Sequence, residues 1–172
     1  CMNATAPSTI CSAWKAAAAP SGLQMQEIPF RDLPLYSYDY DADYPAVARD
    51  FKAAIAGVDA VLFVTPEYNR SVPAPLKNAI DVGSRPYGKS SWSGKPGAVI
   101  SASPGAIGGF GANHHLRQSL VFLDVWCMQQ PEAYLGGAGN VFDESGKVSE
   151  KTRPFLQAFI DAFGQWVEKH NG

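Results

Sequence analysis

Charge is what this 172-residue chain has least of: Asp, Glu, Lys and Arg make up 17% of it, below the usual quarter or so. The 14 basic and 16 acidic residues nearly cancel, and no Lys/Arg cluster runs along any segment. Nucleic acid, which is held largely by neutralising phosphates, therefore has no electrostatic footprint to grip. No apolar run approaches the roughly 18 residues that cross a bilayer, and no basic start followed by an apolar middle reads as a signal peptide. Cysteine is sparse as well. Cys1, Cys11 and Cys127 are odd in number and widely spaced, so they fit neither a disulfide framework nor a CxxC pair. Reduced thiols in a cytoplasmic protein are the plain expectation. A shortage of charge also implies that some surface is covered, by a partner subunit or a bound ligand.

With 46% hydrophobic residues the chain reads as one domain, residues 1–172, able to bury its own core. Ser12–Ala19 reads as a short helix ended by Pro20-Ser21-Gly22, and Leu23–Ile28 alternates like a strand near a sheet edge. Asp32–Pro45 is a loop rich in Asp, Tyr and Pro. Ala46–Ala56 is predicted helical, with Val47, Phe51, Ala54 and Ile55 on one face. Asp59–Thr65 and Pro96–Ala102 are continuous apolar runs, the habit of parallel strands covered on both faces. A helix capped by Ser71 is expected from about Pro73 to Val82, then a loop over Gly83–Lys95. Further expectations are a helix over His114–Asp124, a third apolar strand at Val125–Met128 and a turn at Asp143–Gly146. A final helix is expected to be capped by Ser149, with a stripe of Phe155, Phe159, Phe163 and Trp166 flanked by Leu156, Ile160 and Val167. Alternation of strand and helix predicts an α/β fold, a doubly wound parallel sheet with helices on both faces. Ligands of such sheets sit beyond the carboxyl ends of the strands, which directs attention to Pro66–Asn69 and Ser103–Gly111.

In the first of these loops Pro66 ends a buried strand, and the N–H groups of Glu67, Tyr68 and Asn69 are expected to be free for a ligand. Tyr68 offers a flat face with a polar tip and Asn69 both donors and acceptors. An ordinary strand-ending turn is the alternative. The second loop has four glycines in nine residues ahead of a helix. Its spacing is not GxGxxG, so a glycine loop laid edge-on to a planar ring fits better than a pyrophosphate cradle, with a bare turn as the alternative. His114 and His115, adjacent on a helix, point about 100° apart and do not chelate one metal as an i, i+4 pair would. Arg85 and Arg117 are candidates for phosphate or carboxylate, or for plain surface roles. Gly-x-Ser-x-Gly is absent, and no catalytic side chain is required if a cofactor carries the chemistry.

Thr65-Pro-Glu-Tyr-Asn-Arg-Ser-Val-Pro-Ala-Pro-Leu-Lys-Asn-Ala-Ile-Asp81 and Ser84-Arg-Pro86 closely resemble the signature of the NADPH-dependent FMN reductase family. So do Asp32-Leu-Pro-Leu-Tyr36, Trp92-Ser-Gly-Lys-Pro96, Ser103-Pro-Gly105, His115-Leu-Arg-Gln118, Val121-Phe-Leu-Asp124 and Pro131-Glu132; the likeness runs from about Leu23 to His170. The resemblance implies a flavodoxin-like fold, non-covalent FMN, and hydride passing from NAD(P)H through flavin to quinones, azo dyes, chromate or ferric complexes. It also implies that Pro66, Glu67, Tyr68 and Asn69 line the isoalloxazine edge, mostly through backbone groups, with Ser103, Pro104 and Gly105 on its other side. Arg85 would meet NADPH or a neighbouring subunit of a homodimer or homotetramer. A flavin-binding electron carrier, or a cofactor-free relic, is the alternative.

The chain departs from the family at one place. The family's first strand and its phosphate-binding Gly-Ser-Leu-Arg-x-x-Ser-x-Asn loop should fall near Cys1–Ser8, where Cys-Met-Asn-Ala-Thr-Ala-Pro-Ser stands without arginine or glycine. A central strand is nevertheless expected in the fold, from residues upstream of Cys1 or from a rearranged Cys1–Ser8, the former favoured. Asn3, Thr5 and Ser8 are expected to replace part of the phosphate cradle.

Overall fold

A strand that is apolar on both faces must be covered on both faces, and two such strands set the architecture here. The computed structural model describes the backbone of Met2 and Asn3, residues 22–141, Asp143 and residues 148–172. Its elements in chain order are β1 (Met2–Asn3), α1 (Ala46–Ala56), β2 (Val61–Pro66), α2 (Ala74–Ser84), β3 (Pro96–Ser103), α3 (Phe110–Phe122), β4 (Trp126–Cys127), β5 (Ala133–Gly136) and α4 (Arg153–Asn171). All pairings are parallel: β1 lies beside β2, β2 beside β3, and β3 is flanked by β4 at its start and β5 at its end. Phe63 and Val99 point to one face, where α1, α2 and α3 bury Phe51, Ile55, Ile80 and Leu120 against them. Leu62, Val64, Ala98 and Ile100 point to the other, where α4 supplies Leu156, Phe159, Ile160 and Phe163. This is the flavodoxin-like, doubly wound arrangement predicted from the alternation.

Several local expectations change. Leu23–Ile28 keeps its alternation, with Leu23 and Met25 half-buried and Gln24 and Gln26 exposed, yet forms no strand. It lines a groove of about 560 Å³ together with Val61, Leu62, Phe163 and Val167, and Met2–Asn3, not this segment, pairs with β2. Met2–Asn3 pairs with Phe63 and Val64 and so takes up the expected neighbour position of β2; the other sequence features expected between Ala4 and Ser21, and most of the Asp143–Gly146 turn, lie outside the described residues. Val125–Met128 is not one apolar strand. Only Trp126 and Cys127 pair, Trp126 is exposed, and the same edge of β3 is completed by β5, which the sequence did not announce. Gly83 and Ser84 belong to α2 rather than to a loop. Val47 is exposed, and Ala48 takes its place beside Phe51 and Ile55 on the buried face of α1.

Neither expected serine cap forms. α2 starts after Pro73 with no side-chain cap, because Ser71 is drawn into a turn with Tyr68. α4 starts at Arg153, four residues beyond Ser149, since Pro154 is tolerated only in a helix's first turn. The Ser149 carbonyl instead accepts the N–H groups of Thr152 and Arg153, each at 3.0 Å. Phe155 lies at the margin of the buried stripe and is partly exposed.

The core on the α1–α3 face is keyed by Trp92. It is fully buried, donates Nε1–H to the Ile80 carbonyl at 3.0 Å, and meets Phe51 and Phe63 at ring separations of 6.1 and 5.7 Å. Gly83 makes room for it: a Cβ there would lie 2.5 Å from three Trp92 ring atoms. Gly83→Ala should therefore destabilise the fold, although alanine is about 1 kcal/mol the better helix former. An overpacking cost of about 1–3 kcal/mol sets the sign. Urea unfolding checks this, and a higher midpoint in the variant would show that α2 can shift away from the indole.

Candidate functional site

Because Pro66 pairs with Ala102, the chain leaves β2 and β3 side by side, and Glu67 emerges next to Ser103. The first loop folds at once into a tight turn. Tyr68 N–H donates to the Ser71 carbonyl and Ser71 N–H to the Tyr68 carbonyl, both at 2.9 Å. The Tyr68 N–H expected to be free for a ligand is thus spent on the turn. Asn69 and Arg70 have φ values of 49° and 63°, the mirror-image turn that Asn-Gly would adopt without strain. Asn tolerates this region; Arg does so at a cost of order 1 kcal/mol or more. Tyr68 is half exposed.

Glu67 points inward. Its side chain is only 7% exposed, and its Oε1 accepts from the Arg70 guanidinium at 2.9 Å. Its Oε2 accepts the N–H of Ala112, the third residue of α3, at 3.1 Å. The residue at the N-cap of α3, Gly109, has no side chain to satisfy the first N–H groups of the helix. A carboxylate from the neighbouring loop fills that role, favoured by the helix dipole. This explains why α3 begins at Phe110, four residues before the expected His114.

The glycines of the second loop divide by function. A Cβ on Gly108 would lie 2.7 Å from the Tyr134 backbone, and one on Gly109 2.9 Å from Ser101 Cβ; both residues have positive φ. These glycines let the loop pack against β5 and β3. Gly105 is different: only the Ser103 Oγ, at 3.7 Å, would be near its Cβ. Ser103 Oγ accepts the Gly105 N–H at 3.2 Å, and Pro104, Gly105, Ala106 and Ile107 are exposed. Pro66, Glu67, Tyr68 and Asn69 are therefore brought together with Ser103, Pro104 and Gly105. Tyr68 and Gly105 are both exposed at these strand ends, while their N–H groups are held by the Ser71 carbonyl and the Ser103 hydroxyl. What the loops offer a flat ring system is the Tyr68 face and the Asn69 amide. The positions expected to replace a phosphate cradle, Asn3, Thr5 and Ser8, fall outside what the structure describes beyond the Asn3 backbone.

Arg85 is not with them. It follows the last residue of α2, one helix length (about 16 Å) from the loop that precedes the helix. There its Nε donates to the Tyr36 hydroxyl at 2.7 Å, its Nη2 meets Asp41 at 3.2 Å, and the Tyr36 and Tyr38 rings flank it at 5.5 Å each. The Asp/Tyr-rich loop is pinned to α2 by this cluster. His114 and His115 take separate partners, the Tyr134 hydroxyl at 3.0 Å and the Ser71 hydroxyl at 2.9 Å. Sequence reasoning missed the first pair, which also stacks on Phe110, 4.1 Å from the His114 ring. No sequence signal announced it, since Tyr134 lies on β5, a strand of four residues. Burial, followed by the hydrogen bond to Glu132, pushes the Tyr134 phenol up to about 12. Cys127 carries a free thiol, pushed up to about 11 by burial, and stays neutral.

The sequence model described as NADPH-dependent FMN reductase matches residues 7–140. The chain belongs to that family. A quinone reductase of Pseudomonas putida is 66% identical over 151 residues, 87% of this chain and 81% of that protein. A 2-hydroxy-1,4-benzoquinone reductase of a Burkholderia species is 51% identical over 153 residues, 88% of this chain and 84% of that one. Among solved structures, the flavoenzyme NAD(P)H:(acceptor) oxidoreductase FerB of Paracoccus denitrificans superposes with a TM-score of 0.90 at 40% identity, covering 98% of this chain and 96% of its own. This chain is accordingly an oxidoreductase of the FMN reductase family.

Beneath the two loops lies a buried polar key. Asn113, fully buried on α3, directs its Nδ2 at the carbonyls of Val99 and Ala133 and at Ser101 Oγ, at 3.3–3.5 Å. Its Oδ1 accepts Arg117 Nε at 2.8 Å, and Arg117 in turn donates to the Met128 carbonyl at 2.9 Å. Two of the Arg117 guanidinium nitrogens are thus committed inside the protein, and Nη2 is buried with no partner among the described residues. Asn113→Ala would leave several buried polar groups unpaired and should cost about 2–3 kcal/mol. Thermal and urea unfolding of the apoprotein measure it; a loss below about 0.5 kcal/mol would mean that water replaces the amide without penalty.

Proposed function

We propose that this chain, as a single domain, binds FMN between Pro66–Asn69 and Ser103–Gly105 and reduces quinones or similar small acceptors at the expense of NAD(P)H. The observation that carries the reading is the β2–β3 register. It sets an exposed tyrosine face and an uncovered glycine backbone side by side at the strand ends, where a ring can enter edge-on. FMN, when bound, supplies the acceptance of hydride from NAD(P)H and its return to the acceptor. The residues supply position. Asn69 offers its amide and Tyr68 its ring, while Pro66 and Pro104 stiffen the loop starts. Glu67 serves through its backbone and through the anchoring described above. The names of the quinone-reducing relatives support the acceptor class, and favour an enzyme over an electron carrier or a relic.

We further propose that the protein is cytoplasmic and forms a homodimer or larger homo-oligomer, and the α2–α3 face supports the assembly. A groove of about 900 Å³ runs between these helices from Ser71 and His115 to Phe122, and Phe122 and Val121 are 83% and 71% exposed. In a chain this poor in charge, a second copy is the natural cover. Arg85 stands far from the loops of its own subunit, so any contact with NADPH would be made at the flavin of a neighbour. Phe122→Glu should convert the assembly to monomer in light scattering. An unchanged mass would place the contact elsewhere.

The central test is direct. Purified protein should take up FMN, turn yellow, be bleached by NADPH without oxygen, and oxidise NADPH continuously when benzoquinone is added. A colourless protein that ignores added FMN sinks the reading, and bleaching without turnover would favour the carrier. Tyr68→Ala should weaken FMN binding. Asn69→Gly is the right partner variant, because alanine at φ 49° would add backbone strain to the lost amide. A loss of about 0.5–1.5 kcal/mol is expected for the amide. Unchanged FMN affinity in the double variant would move the flavin to another place.

A further inference from the structure

We propose that the Glu67 side chain is a positioning residue for the flavin, acting through the start of α3 rather than by touching the ring. This rests on the FMN reading above. The carboxylate bridges the two loops: one oxygen holds the Ala112 N–H at 3.1 Å and the other holds Arg70 at 2.9 Å. It thereby ties the strained turn, with left-handed Asn69 and Arg70, to the end of the glycine loop. The approach is tight. A Cβ on Gly111 would lie 2.7 Å from the Arg70 carbonyl oxygen and 2.9 Å from Glu67 Oε2. No other side chain among the described residues caps the N-terminus of α3, since Gly109 has none. Without this link the gap between Tyr68 and Gly105 is set only by two separate loops, each free to relax. With it, the gap is set by a helix end fixed to β3 through Asn113.

The two bonds do not matter equally. Arg70 is 71% exposed, so its ion pair is screened and contributes little. The Ala112 bond is partly buried, and its demand is for reach rather than charge. Glutamine keeps the reach and loses the charge; aspartate keeps the charge and draws the oxygen back by one methylene.

FMN dissociation constants, measured by quenching of flavin fluorescence on titration with apoprotein, separate these cases. Glu67→Asp and Glu67→Ala should bind FMN roughly tenfold more weakly, as expected for a partly buried hydrogen bond lost. Glu67→Gln should restore affinity to within about threefold of the starting protein, and Arg70→Ala should stay within the same margin. Urea midpoints of the apoproteins, taken in parallel, should not follow the order of the affinities. The proposal is overturned if Glu67→Gln binds no better than Glu67→Asp, or if Glu67→Ala binds like the unaltered chain. Should Glu67→Ala fail to fold, the Gln/Asp comparison decides alone. If the unaltered protein binds no FMN, the function proposed above fails and this inference falls with it; if it binds FMN and the variants follow neither expected order, this inference alone is overturned.

Discussion

Six consecutive parallel pairs join β2 to β3, from Val61 with Gly97 to Pro66 with Ala102, and both the core and the site depend on that register. Side chains alternate with a period of two, so a slip of one residue would carry Leu62 and Val64 to the wrong face. It would also displace one loop relative to the other by about 3.3 Å, more than the gap between two loops around a planar ring tolerates. Gly97 helps to hold the pairing. A Cβ there would lie 2.7 Å from Val125 Cγ1, so its absence lets the chain entering β4 close over the start of β3. The hydrophobic pattern that buries the sheet is therefore the same pattern that aligns the loops.

What was legible in the sequence follows from where each signal originates. β2 and β3 declare themselves because doubly buried strands are apolar at every position. α1 declares itself through its spacing, although Val47 and Ala48 exchanged roles by about one position of helix rotation. The start of α2 fell beside the expected Pro73 though without its serine cap, while the starts of α3 and α4 did not declare themselves, because their first N–H groups are not served by the nearest serine. Ser71 is taken by the turn, Pro154 sets the start of α4, and α3 is capped by Glu67 from 45 residues away. No local rule sees such a cap. The edge of β3 was misread for a similar reason: β4 and β5 are two short pieces of one edge, and neither is long enough to show a period. The loops of the site were legible from topology and from the Pro-Glu-Tyr-Asn likeness. The pairing of His114 with Tyr134 was not, since it needs β5.

The glycine loop shows how composition can point to the right place through a different cause. Four glycines ahead of a helix suggest close approach by a ligand. In the fold, Gly108, Gly109 and Gly111 are each occupied by close approach of the protein to itself, against β5, Ser101 and the Arg70–Glu67 turn. Only Gly105 remains uncovered. A phosphate cradle needs several N–H groups converging on one point; here the Gly105 N–H is already held by Ser103 and the Ala112 N–H by Glu67. That pattern suits the edge of a ring and not a phosphate, and it separates this loop from nucleotide-binding glycine motifs on physical grounds.

The distribution of charge carries the same logic into selectivity. The charged side chains nearest the loops are spent internally: Glu67 on a helix end and Arg70, Arg117 on Asn113 and the Met128 carbonyl. Among the large apolar side chains facing outward there are Tyr68, Ile107 and Phe110, all roughly half exposed, with the exposed Asn69 and Arg70 beside them. A rim of this kind attracts flat apolar molecules by burial and stacking, which scale with area and shape. It offers no fixed ion pair to demand a particular substituent. Strong discrimination between small molecules comes from buried polar groups left unpaired by the wrong ligand, so a rim of exposed apolar rings would, on the function proposed, select a class of acceptors by shape. The family's chemistry then resides in the cofactor, and this chain's contribution is the shape and rigidity of the slot.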